Sequence, residues 1–148
     1  MQMRFDGTIG FTGGLIDSTD ENVCDGLNRE FGEEINMNKS KVAFEQMNHL
    51  VTHVHHSSRL ILHFYLKEIS LGLFNEIEKN AVYAKHYGSE TLGIMRVPCY
   101  VFSDGKRGLP KFLSNQFIGN AKNQLIAGLV GANIFTQEEM DQICLDES

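Results

Sequence analysis

A chain of 148 residues that is 42% apolar can bury one substantial core and needs no second domain, so a single domain over 1–148 is expected. A formal charge of -6 argues against a general polyanion-binding surface, because phosphate contacts need clustered Lys and Arg; any contact to nucleic acid must be local or assisted by metal. Cys24, Cys99 and Cys144 lie far apart with no CxxC pair, and there is neither a long apolar run nor signal-peptide order, so reduced thiols in a soluble intracellular protein are expected.

In chain order, MQMRF-DG-TIGFT sets Asp6-Gly7 between short apolar runs, a hairpin signal. The chain therefore opens inside a sheet. From about Asp20 to Ile35, Val23, Leu27 and Phe31 fall at helical spacing, with Ser18, Thr19 or Asp20 available as N-cap. Gly26 and Gly32 each weaken that helix by roughly 1 kcal/mol relative to Ala, so packing or metal must hold it. A second hairpin is read from His49–Val54 through His55–Ser58 to Arg59–Leu66, which is rich in strand formers. Ser70 to Lys85 reads as a helix and Leu92 to Val97 as a strand stopped by Pro98. Val101 to Gly105 runs into a turn. Pro110 opens a long helix, Phe112 to about Val130, capped by Gly131. From about 136 a short amphipathic helix frays into an acidic tail. Interleaved strands and helices make the class α/β.

The chemistry sits in GFTGGLIDSTDENVCDGLNREFGEEI, where a Gly-Gly turn leads into the helix carrying Arg29, Glu30, Glu33 and Glu34. Positions i, i+3 and i+4 share a helix face, so Glu30, Glu33 and Glu34 converge and repel. By itself an ExxEE is an ordinary solvated acidic face. Hard divalent cations are the other partner such oxygens suit.

Arg29-Glu30-Phe31-Gly32-Glu33-Glu34 matches the Arg-Glu-aliphatic-any-Glu-Glu heart of the box that defines the Nudix hydrolases, and Glu21 stands at a fitting distance before Arg29. Two departures are visible. Gly14 lies one residue too far from Glu21 unless Asp20 takes that role, and Asn36 stands where the box has Gly. The strings MQMRFDG, DGLNRE, RVP and NQFIGNAKNQL resemble the small nucleolar RNA decapping and inosine diphosphatase branch, along nearly the whole chain. That branch carries a preceding helix, strand and purine-contacting His. The resemblance therefore implies a Nudix-type α/β/α sandwich with a mixed sheet, here expected without its first strand and helix. Thr12 replaces the Pro of the branch's Phe-Pro-Gly-Gly turn, which removes a fixed φ.

The resemblance assigns metal coordination, by magnesium or manganese, to the backbone of Gly13, to Glu30 and Glu34, and to His53. Glu33 accepts a proton from the attacking water or orients it, beside Glu30 and Glu34 as catalytic carboxylates. Arg29 pairs with a box carboxylate to hold the loop. Arg4, Phe11 and Gln124 contact substrate, as phosphate grip, stacking ring and purine-edge partner. His55, His56 and His63 have no matching cysteine pattern and read as turn and strand residues rather than a zinc cluster. The function so implied is metal-dependent cleavage of a diphosphate linkage, in inosine-type or deoxyinosine-type nucleoside diphosphates and in the cap of small nucleolar or other RNA. A homodimer without membrane association is expected, in the nucleolus and nucleoplasm with a cytoplasmic share. The alternative is a catalytically inactive Nudix-fold module that binds protein or RNA, because the branch has a relative without the box carboxylates.

Overall fold

The computed structural model describes residues 1–56 and 58–145. Two compact units emerge: Met1–Asn48 with Lys67–Met95, and His49–Leu66 with the stretch from Arg96 onward. Asp146 and Glu147 of the expected acidic tail lie outside the described residues.

The first unit opens on strands β1 (Gln2–Arg4) and β2 (Ile9–Gly10), antiparallel with Met3 opposite Ile9. The hairpin forms where expected, but its loop is four residues, Phe5 to Thr8. Gly7 takes φ +82°, and Asp6 accepts from the Thr8 N–H at 2.9 Å and hydroxyl at 2.6 Å. Strand β5 (Thr91–Ile94) pairs antiparallel on the other side of β1, giving the order β2-β1-β5. It starts one residue before Leu92 and ends short of Val97; the residue preceding Pro98 is biased toward extended backbone without needing a ladder partner.

Helix α1 (Val23–Ile35) begins later than Asp20. Its N-cap is Asn22, whose side chain accepts from the Asp25 N–H at 3.1 Å, so none of the three expected caps serves. The helix ends at Asn36, which sits at φ +57° and donates its N–H to the Gly32 carbonyl at 3.0 Å. A left-handed C-cap is a Gly position that Asn also tolerates, which accounts for the second departure from the box. Within the helix, Asn28 ties down the following segment. Its amide donates to the Phe44 carbonyl at 2.9 Å and accepts from the Phe44 N–H at 2.7 Å. Ile35, Met37 and Val42 form a core with Ile77 and Ala81 of helix α2 (Leu71–Ala81), joined by Phe31, Ile69, Leu73 and Ile94. Ser70, read as the first residue of α2, is its N-cap, accepting from the Leu73 N–H at 3.2 Å. The helix stops short of Lys85, because i to i+3 bonds tighten its end (Tyr83 N–H to Asn80 O, 2.9 Å; Ala84 N–H to Ala81 O, 3.2 Å) and Gly88 at φ +84° turns the chain toward β5.

The second unit holds the expected hairpin, β3 (His49–His55) against β4 (Leu60–Tyr65), with Thr52 opposite His63 and His53 opposite Leu62. Among the described residues both sheets are antiparallel, where a mixed sheet was expected. The long final helix is two pieces, α3 (Leu109–Leu113) and α4 (Ala121–Gly131). Ser114 and Asn115 turn their side chains back onto the Lys111 and Phe112 carbonyls, both at 2.8 Å, and Gly119 reverses the chain at φ +52°. Gly131 ends α4 without capping it. A Cβ there would meet Leu50 Cδ1 at 2.8 Å, so the glycine admits Leu50 of β3, while Ala132 supplies the capping N–H. Helix α5 (Gln137–Leu145) follows a reciprocal cap: Thr136 Oγ1 accepts from the Glu139 N–H at 3.2 Å and Glu139 accepts from the Thr136 N–H at 2.7 Å. Leu109, Leu113, Leu125, Leu129, Met140 and Ile143 make the core of this unit.

Candidate active site

In the first unit the loop between β2 and α1 lies on the carboxylate face of α1. Gly13, at φ +142°, donates its N–H to Glu34 Oε2 at 2.9 Å. A Cβ on Gly14 would stand 2.5 Å from the Glu30 carboxyl carbon, so the corner accepts nothing larger than hydrogen. Glu34 is 3% exposed. Burial pushes its carboxyl above the ordinary range, against the pull of the Gly13 N–H, and the charge of Glu30 raises it further. The Gln2 amide adds a weak pull on Glu34 without closing a well-formed hydrogen bond.

Arg29 holds the loop in place. Its Nε and Nη2 reach Asp20 at 3.1 and 3.0 Å, its Nη2 the Leu15 carbonyl at 3.1 Å, and its Nη1 Glu30 at 2.7 Å. The Arg29 guanidinium holds the Asp20 carboxyl below its usual range, aided by the Asp17 N–H. Gly26 makes space for this contact, since a Cβ there would meet Asp20 Oδ2 at 2.8 Å and Ile16 Cδ1 at 2.6 Å. Asp20, with a side chain 6% exposed, is therefore the acidic residue facing Arg29, while Glu21 is exposed. That resolves the spacing in favour of Asp20.

Glu33 turns to other partners. Lys85 Nζ donates to it at 2.9 Å, and Arg29 and His86 stand at 3.8 and 3.9 Å. Lys85 first, then the surrounding positive charge, keeps its carboxyl below the ordinary value. A carboxylate so held orients a water better than it takes a proton from one. Lys85 and His86 carried no signal in the sequence, because each is reached only through the folded chain. Asp20 had one, the spacing to Gly14.

The remaining expected residues fall as follows. Arg4, at the end of β1, lies over the Phe5 ring at 5.8 Å and pairs with Asp6 at 3.4 Å; Phe11, half-buried, follows β2. His53 and Gln124 belong to the second unit, on β3 and α4. His53 Nδ1 is buried with no hydrogen-bond partner among the described residues. His63 and His49 bond to Thr52 at 2.9 and 2.8 Å and His55 to Ser58 at 2.5 Å, as turn and strand histidines do.

Among the described residues no three His, Cys, Asp or Glu side chains gather around one point. The donor set nevertheless suits a hard divalent ion: Glu34 is a buried carboxylate that no Lys or Arg neutralises among the described residues, beside Glu30 and the Gly13–Gly14 backbone.

Residues 1–135 match the family described as Nudt16-like, U8 snoRNA-decapping enzyme-like. The chain belongs to this family of Nudix hydrolases. It is 45% identical to the U8 snoRNA-decapping enzyme of Mus musculus over 87% of its own length and 66% of the relative's. With the protein of the same name from Homalodisca vitripennis it shares 51% over 77% of its length and 60% of the relative's. The Tudor-interacting repair regulator protein of Homo sapiens is 37% identical over 95% of this chain and 65% of that protein. The chain thus spans about two thirds or less of the length of these curated relatives. In Nudix terms, the loop, helix and acidic corner are the box, with Asp20 and Asn36 filling positions that the family pattern gives to Glu and Gly.

Proposed function

We propose that this Nudt16-like chain carries the catalytic box of a metal-dependent hydrolase that splits diphosphate linkages, both in inosine-type nucleoside diphosphates and in the cap of small nucleolar or other RNA. The observation that carries the reading is the uncompensated Glu34 carboxylate, buried against the Gly13 N–H and next to Glu30. Glu30, Glu34 and the Gly13 carbonyl would hold magnesium or manganese, which when bound would offset phosphate charge and acidify water. Glu33, kept ionised by Lys85, orients the water oxygen toward one phosphorus; the bridging oxygen leaves with the other phosphate. Arg29 holds the loop by spanning Asp20 and Glu30. Arg4 grips phosphate and Phe11 stacks on the base. The names of the decapping relatives support capped RNA as substrate and a nuclear site of action, and a homodimer belongs to the same reading.

The test compares phosphate release from inosine diphosphate with manganese for the parent chain and Glu34→Gln. A fall of at least about 100-fold is expected, the scale seen when a group essential to the transition state is removed; equal rates would defeat the reading.

A second reading, a binding module without catalysis, is favoured by the 37% identity to the Tudor-interacting repair regulator protein over 95% of this chain. Capture of a Tudor-domain protein by a chain that manganese leaves thermally unchanged would select it. The intact Glu30, Glu33 and Glu34 favour the hydrolase.

A further inference from the structure

The charge of -6 makes one loop of the second unit stand out. Between Tyr100 and Gly108 the chain closes on itself: Val101 bridges Gly108, the Leu109 N–H reaches the Tyr100 carbonyl at 2.8 Å, and the Phe102 N–H reaches the Arg107 carbonyl at 3.2 Å. Gly105 turns the tip at φ +69°, and Gly108 sits at φ +87° with no room for a Cβ against the Tyr100 carbonyl. Asp104 accepts from the N–H groups of Lys106 and Arg107, at 3.0 and 3.1 Å, and from Arg107 Nε at 2.6 Å. Its carboxylate is used in shaping the loop and is held low by those donors.

That framework exposes two rings and three cations. Tyr100 is 56% and Phe102 44% exposed, yet their rings meet edge to face with centroids 5.5 Å apart. Arg107 lays its guanidinium 4.5 Å above the Phe102 centroid, leaving its terminal nitrogens without a partner among the described residues. Lys106 and, on α3, Lys111 are exposed and have no carboxylate partner there. Exposed aromatic faces with unpaired cations alongside are what an unpaired nucleotide strand requires: each base has a π-face to stack and each linkage a phosphate to neutralise. An apolar protein partner would leave the cations unmatched, and an acidic one would leave the rings without use.

We propose that the Tyr100–Arg107 loop is a contact surface for single-stranded RNA, with Tyr100 and the Phe102–Arg107 stack taking bases and Lys106, Arg107 and Lys111 taking phosphates. The proposal rests on RNA being a substrate of this chain, but its test needs neither cap nor metal. Binding of an uncapped single-stranded oligouridylate is followed by fluorescence anisotropy in chelator, for the 148-residue chain and for Phe102→Ala, Phe102→Trp and Lys106→Ala. Loss of one stacking partner should weaken binding about tenfold, with Phe102→Trp retaining it. Lys106→Ala, at an exposed side chain without an ion-pair partner among the described residues, should reduce the salt slope by roughly 0.7, the value per phosphate on a single strand. No binding by the parent, or equal binding by all variants, overturns the proposal. So does a surface that polyglutamate blocks as well as RNA and that ignores the loss of Phe102, which marks a general anion patch. Failure of the hydrolase reading would leave these curves unchanged, and failure of this proposal would leave inosine diphosphate hydrolysis unchanged.

Discussion

Asp20 and Glu21 are neighbours of the same charge, and only one of them is positioned to hold Arg29. Asp20→Ala is expected to lower the thermal midpoint and the rate together, since the loop over Glu30 loses its anchor, whereas Glu21→Ala at an exposed site should change neither. Differential scanning fluorimetry with a rate measurement decides it. The sequence carried both options because the link from Gly14 to the helix is irregular, and a one-residue slip there breaks no periodicity. Asn36 was equally ambiguous as a letter and clear as a backbone: at φ +57°, Asn36→Gly should be neutral or slightly stabilising, while Asn36→Val should cost about 1–2 kcal/mol in denaturant melts. Lys85 was invisible until the chain folded. Lys85→Gln removes the main force lowering the Glu33 carboxyl, so the acid limb of the kcat/KM profile should move to higher pH. An unmoved limb would show that Glu33 takes no part in the rate.

At the level of elements, the two glycines of α1 separate propensity from packing. Gly32→Ala meets only the Met37 carbonyl at 3.5 Å and should gain about 0.5–1 kcal/mol, the usual benefit of Ala in a helix. Gly26→Ala has the same local benefit but drives its Cβ into Ile16 and Asp20, so urea melts should show a net loss. The weakness read from these glycines was thus half a loss of helix propensity and half the means by which the loop approaches. Both hairpins, α1 and α2 were legible because period and turn chemistry agree there. The 112–130 segment was not. Its apolar spacing continues across residues 114–120, but Ser114, Asn115 and Gly119 satisfy the backbone locally in a way that periodicity does not register.

Across the whole molecule, the carboxyl groups pull stability in opposite directions with pH, and Glu34 pulls against the others. Asp6 and Asp104, bonded to Thr8 and to the N–H groups of Lys106 and Arg107, and likewise Asp20 and Glu33, have carboxyls held low in the folded chain. Their contribution is present above their ordinary values and is lost as pH falls through the folded ones. Glu34 has the reverse sign. Its folded value is raised above the ordinary 4.5 by burial, so the folded chain binds the proton more tightly than the unfolded chain. Its contribution is full below 4.5 and is lost as pH rises through the folded value. In chelator, the midpoint should therefore fall on the upper side of that window for the parent and stay flatter for Glu34→Gln, which keeps an acceptor for the Gly13 N–H without a buried charge. Manganese should reverse the loss, because it binds the ionised carboxylate and not the acid. At 100 times its dissociation constant a ligand specific to the folded state adds about 2.7 kcal/mol. The expected result is a midpoint raised strongly at pH near 7.5, weakly near 5, and at neither in Glu34→Gln. A shift of equal size at both pH values that survives in Glu34→Gln would place the ion elsewhere and remove Glu34 from the metal site.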